Sequence, residues 1–103
     1  MIVLSKVTGF DWDNGNARMN DRHGVSGAEA EQIFFTSPLL LLDDPQHSDV
    51  EHRYHALGKT FEDRRLHVSF TLRKDATLIR VISARDMSRK ERAIYEQASK
   101  SHS

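Results

Sequence analysis

The chain has 103 residues, with 15 basic and 15 acidic side chains, five glycines, two prolines and no cysteine. That composition fits one globular domain over 1–103 and leaves no length for a second core, and it excludes disulfides and thiolate metal sites. The longest apolar runs, residues 1–4 and 39–42, fall far short of the ~20 residues that cross a bilayer as a helix.

Residues 1–7 hold one lysine and lack a long apolar stretch before a small-residue cleavage site, so no signal peptide is read there and a cytoplasmic location is expected. Zero net charge hides an asymmetry. Residues 1–50 carry three basic against eight acidic side chains, and residues 51–103 twelve against seven. Either the halves neutralise one another on folding, or the second half offers a basic face to a polyanion.

In chain order, Val7, Thr8, Phe10 and Trp12 predict a short first strand over 7–12. Asp13 is placed to cap a helix over 14–22, intrinsically weak because it contains Gly15 and three asparagines. Gly24 stops it, and Ser26 with Glu29 forms a capping box that starts a second helix, ended at Ser37-Pro38. Residues 39–42 read as a buried strand, with Asp43-Asp44-Pro45 as a turn and 46–50 as a loop. Strands are predicted over 51–60 and 66–73, the second alternating Leu66, Val68, Phe70 and Leu72 with His67, Ser69, Thr71 and Arg73. Residues 77–84 are apolar on both faces, Leu78 and Ile82 on one and Ile79 and Val81 on the other, which predicts an interior strand. Ser88 and Glu91 make a second capping box for a helix over 89–97, and 100–103 reads as a frayed tail. This order predicts an α+β fold: a mostly antiparallel sheet of four to five strands, two N-terminal helices and a C-terminal helix, with the helices against one face.

Three blocks in order give a more specific reading. Phe10-Asp11-Trp12-Asp13, Asn20, Arg22-His23-Gly24-Val25-Ser26 and Glu29-Ala30 form the first; Arg53-Tyr54-His55-Ala56-Leu57-Gly58 the second; Ile79-Arg80-Val81-Ile82-Ser83-Ala84-Arg85 with Glu91-Arg92 and Tyr95 the third. Together, over about residues 10–95, they resemble the BrnT toxins. That resemblance implies a RelE-like fold and a ribonuclease toxin of a type II toxin–antitoxin pair. It also implies neutralisation by a BrnA-like antitoxin in a hetero-oligomer that contacts operator DNA only through the antitoxin. Family members usually carry lysine where this chain has Asn16, so the alternative expectation is a catalytically weak toxin-fold binding module.

Cleaving RNA without a metal requires a base for the 2′-hydroxyl, an acid for the leaving oxygen and cations aimed at the charge growing on phosphorus. His23 is the acid/base candidate, since an imidazole titrates near neutrality and Gly24 permits close approach; the structural reading is a histidine that complements a helix C-terminus. Arg53, Arg80 and Arg85 are the anion-site candidates, because a guanidinium grips phosphate bidentately and stays charged. For Arg80, on a face shared with Leu78 and Ile82, the competing reading is an ion pair with a carboxylate such as Asp13 or Glu29. Arg85 heads a cluster with Arg89, Lys90 and Arg92 that equally reads as a solvated helix face. Trp12 reads as core or as a base-stacking platform. The remaining surface of the C-terminal helix, or an exposed sheet edge, is expected to receive the antitoxin.

His47, Asp49, His52 and His55 do not have the spacing of a metal site, and His52 and His55 face opposite ways on a strand. Neither a glycine-rich phosphate loop nor a G-x-S-x-G elbow occurs in the sequence. No metal and no cofactor is expected.

Overall fold

A computed structural model of the chain describes residues 4–17, 23–44 and 51–101. The predicted loop over 46–50, most of the predicted first helix, Asn20 and Arg22 of the first block, and His47 and Asp49 lie outside the described residues. The described elements are β1 (Gly9–Phe10), α1 (Gly27–Gln32) running into a 3-10 turn (Ile33–Phe35), β2 (Leu40–Asp44), β3 (Arg53–Lys59), β4 (Arg65–Arg73), β5 (Leu78–Asp86) and α2 (Arg89–Ser101).

The five strands form one sheet in the order β1-β5-β4-β3-β2. β2 to β5 pair antiparallel, whereas β1 pairs parallel with β5, so the sheet is mixed rather than antiparallel throughout. β1 and β5 are neighbours in the sheet although three of its strands lie between them in sequence. β1 is shorter than predicted. Its ladder is extended by Thr8 N–H donating to the Thr77 carbonyl and Asp11 N–H to the Ile79 carbonyl, both at 2.8 Å.

Of the two predicted N-terminal helices, the second is described. Ser26 Oγ accepts from Glu29 N–H and Glu29 Oε1 accepts from Ser26 N–H, each at 3.0 Å, closing the expected capping box. Where the first was expected, residues 14–17 form a turn in which Asp13 Oδ1 accepts from Gly15 N–H and the Asp13 carbonyl accepts from Ala17 N–H. The second helix tightens to 3-10 geometry at Ile33 before Pro38, earlier than the proline required.

One core lies between α1 and the sheet. Val25, Ala30 and Ile33 meet Ala56, Leu66, Val68, Phe70, Ile79, Val81 and Ala84 there. Trp12 packs at its margin, half-buried, with its indole N–H donating to Glu31 Oε2 at 2.6 Å. Gly58 lies so close to this layer that a Cβ would stand 2.8 Å from Ile33 Cβ.

The opposite face is covered by α2, which corrects the expectation of helices on one side only. Leu57 and Leu40, directed away from the main core by strand alternation, need apolar cover of their own, and Tyr95 and Met87 supply it. Tyr95 is fully buried, with its hydroxyl donating to the Pro38 carbonyl at 2.8 Å. β2 is the sheet edge, not a buried strand: Leu42 is 54% exposed, and the strand continues through Asp44, where a turn was expected. α2 likewise runs to Ser101, past the predicted stop at 97.

Candidate functional site

The sheet face shared with α2 is built from three transverse rows. Arg85, His67, Leu57 and Leu40 lie opposite one another across β5, β4, β3 and β2; Ser83, Ser69, His55 and Leu42 form the next row; Arg80, Thr71, Arg53 and Asp44 the third. α2 roofs the first row. The polar alternation of β4 thus has polar counterparts on the strands to either side.

A bulge in β5 makes this arrangement possible. Residues 80 and 85 are an odd number apart, so a regular strand would send them to opposite faces. The register shifts between Ser69, opposite Ser83, and Phe70, opposite Val81, which leaves Ile82 as the extra residue. Past it the alternation is inverted, and Arg80 and Arg85 share a face. The expectation that Arg80 shares its side with both Leu78 and Ile82 in regular alternation is corrected by this bulge.

Each of the two arginines is held by carboxylates. Arg80 donates from Nη2 to Asp13 Oδ1 at 2.9 Å and its Nη1 stands 3.5 Å from Asp11 Oδ2, with only 16% of the side chain exposed. The hydrogen bond from Arg80 holds the Asp13 carboxyl below its ordinary range. Arg85 forms a fork with Glu91, Nη1 to Oε1 at 2.8 Å and Nη2 to Oε2 at 2.9 Å. That fork, with a further bond from Ser88 N–H at 2.9 Å, depresses the Glu91 pKa to about 2. Glu91 therefore caps α2 and anchors it to β5 in one side chain. The ion-pair reading of Arg80 is met on Asp13 and Asp11 rather than on Glu29, which pairs with Arg64. Arg53 is half-buried, opposite Thr71 and Asp44.

His23 is exposed and lies two residues before Val25 of the main core. The adjoining Gly24 has φ 66° and its carbonyl accepts from Arg64 Nη1 at 2.9 Å. Arg53, Arg80 and Arg85 are thus brought to one face.

Two other histidines occupy that face. His55 on β3 has its Nδ1 3.2 Å from Ser69 Oγ and its Nε2 2.9 Å from Asp44 Oδ2, so Asp44, His55 and Ser69 form a continuous chain across β2, β3 and β4. Asp44 is 9% exposed in its side chain and His55 28%. His67 on β4 lies beside it, ring centroids 4.7 Å apart. Burial, assisted by the Arg85 charge, pushes the His67 pKa down to about 4, and its Nδ1 is buried without a hydrogen-bond partner. His67 is accordingly neutral at pH 7.

In the sequence His55 reads only as a candidate metal ligand, and Ser69 only as a polar position of β4. The signal was present in the alternation of β4, but which residue of β3 faces Ser69 depends on register. Among the described residues no group of three or more His, Cys, Asp or Glu side chains is gathered as a metal site.

Asn16 is a buried polar group near Arg80. Its Nδ2 donates to the carbonyls of Asp11 and Val81 at 2.9 and 3.0 Å, and its Oδ1 accepts from Asp13 N–H at 2.7 Å. It ties the turn after β1 to the middle of β5 and so positions the two aspartates that hold Arg80.

Compared with known proteins, the chain matches a family model described as ribonuclease toxin, BrnT, of type II toxin-antitoxin system, over residues 12–91. No curated protein gives a significant match.

Proposed function

The chain belongs to the BrnT family of ribonuclease toxins of type II toxin–antitoxin systems, and from that premise we propose that it cleaves RNA without a metal on the α2-side face of the sheet. In this reading the scissile phosphate lies over the rows containing Arg53, Arg80 and Arg85. The observation that carries it is the β5 bulge, which turns Arg80 and Arg85 to the same side as Arg53. A guanidinium has five N–H donors, and the carboxylates on Arg80 and Arg85 occupy some of them. The ion pairs hold the cations in place before substrate arrives, which is the condition for stabilising charge that develops only in the transition state.

The protein acts in the cytoplasm and is neutralised by a BrnA-like antitoxin, through which alone the complex meets operator DNA. A shallow apolar groove lined by Leu40, Ala93, Ile94 and Ala98, beside the edge strand β2, supports antitoxin docking on this side. The alternative of a weak binding module rested on Asn16 in place of a phosphate-contacting lysine. Buried Asn16, spent on three backbone hydrogen bonds, supports the enzymatic reading instead.

Expression without the antitoxin should arrest growth, co-expression of the antitoxin should restore it, and the purified chain should cut single-stranded RNA in the presence of a chelator. A chain that is inert in both the growth and the cleavage assay refutes the proposal.

A further inference from the structure

Resting on the ribonuclease reading above, we infer that Asp44, His55 and Ser69 form its proton-transfer centre, with His55 Nδ1 as the base that accepts the 2′-hydroxyl proton. The inference starts from donor and acceptor arithmetic. A neutral imidazole has one N–H and one lone pair. Asp44 Oδ2, 2.9 Å from Nε2, can only accept while ionised, so the N–H is on Nε2 and the lone pair on Nδ1. That lone pair points at Ser69 Oγ, 3.2 Å away, whose rotatable hydroxyl donates to it.

The order carboxylate, imidazole, hydroxyl is the one that keeps an imidazole in a single tautomer with its basic nitrogen turned outward. Here a carboxylate almost closed to solvent fixes the ring, while the ring itself is more open. His67, the only other described histidine on this face, is buried, has its pKa pushed down to about 4 and lies tilted against the His55 ring, so it acts as a neutral wall. The charged and titratable groups around the base are Asp44 from β2, His67 from β4, Arg53 two residues along β3, and, beyond His67, Arg85 of β5 with Glu91 of α2.

In the reaction, a ribose 2′-hydroxyl takes the place of Ser69 on Nδ1. Its proton passes to Nδ1, O2′ bonds to phosphorus, and the bond from phosphorus to O5′ breaks. The departing O5′ takes a proton from water. The hydroxide left behind is neutralised by the proton that His55 returns to solvent. The products are a 2′,3′-cyclic phosphate and a 5′-hydroxyl end. Ser69 is a positioning residue that holds the base in its productive rotamer and is not itself a nucleophile.

The test uses the full chain, a short single-stranded RNA, and the same RNA with one 2′-deoxyribose at the cut. Wild type should leave a cyclic phosphate end and spare the deoxy site. His55→Ala should lower kcat by about 10²–10⁴, with KM little changed at a temperature where the variant is folded, and added imidazole should restore part of the rate. Ser69→Ala should keep cleavage within tenfold. Ring ¹⁵N shifts of the wild type should report His55 as the Nε2–H tautomer, and Asp44→Asn should weaken that preference. His55→Gln replaces His55→Ala in the kinetic arm if the alanine variant does not fold. Cleavage by the His55 variant at the wild-type rate, lack of imidazole rescue, or an Nδ1–H tautomer overturns this inference alone. Loss of all cleavage in Ser69→Ala, with label on Ser69 from a serine-directed phosphonofluoridate, overturns it in favour of a serine nucleophile. A wild type that cuts no RNA overturns the ribonuclease reading and this inference with it.

Discussion

Replacing Asn16 by alanine separates a folding role from a substrate role at the position where the sequence resemblance led to the expectation of a lysine. The substitution removes three hydrogen bonds and leaves the Val81 and Asp11 carbonyls and the Asp13 N–H without their partner. The bond to Val81 is buried, and stranding such a group costs about 1–3 kcal/mol, while the other two, half-exposed, contribute about 0.5–1 kcal/mol each. The sum is roughly 3 kcal/mol. For a domain of this size 1 kcal/mol moves Tm by about 4–8 °C, so thermal unfolding should shift down by roughly 12–24 °C. Asn16→Asp should do at least as much harm, because it turns a carboxylate oxygen toward two carbonyls. The assay is thermal unfolding by circular dichroism, beside RNA cleavage at a temperature where both proteins are folded. A Tm within ~2 °C of wild type, as for an ordinary surface substitution, together with a tenfold loss of cleavage would refute the reasoning and return position 16 to the substrate.

Further outcomes follow from packing and titration. Gly58→Ala places a methyl 2.8 Å from Ile33 Cβ and 3.2 Å from the Ile33 carbonyl oxygen, so a backbone segment must move; urea unfolding should show a loss of about 1–3 kcal/mol. His67 has a folded pKa near 4, below its unfolded value of 6.5, so the unfolded chain binds the proton first and stability falls as pH drops from 6.5 to about 4. His67→Gln should flatten that part of the stability–pH curve. Glu91 has a folded pKa of about 2 against 4.5, so its contribution is present above 4.5 and is lost between there and about 2. Glu91→Gln should lower stability at neutral pH and weaken acid sensitivity in that lower window, as read by denaturant titration at each pH.

Elements set by local chemistry were legible in the sequence. Both capping boxes, Ser26 with Glu29 and Ser88 with Glu91, form as their spacing requires, because each needs only one turn of chain. The alternation of β4 sends Leu66, Val68 and Phe70 to the main core as expected, since side-chain direction in a strand follows from position alone, but its polar side is not a wet face, because His67 and Thr71 are buried. The three sequence blocks carried the family resemblance, and the match over 12–91 agrees with it.

Pairing between distant segments was decided only by the folded chain. Which residue of β3 lies beside Ser69, and whether Arg80 and Arg85 share a face, depend on register and on the extra residue at Ile82, and a slip of one position would reverse every side chain. The parallel β1 edge and the placement of α2 on the second face depend likewise on which apolar surfaces remain uncovered after the main core closes. Hydrogen bonds of a ladder are the same for every residue type, so periodicity tells each strand which side to bury but not which neighbour to take. The basic residues could therefore be named from the sequence, whereas the imidazole standing with them could not.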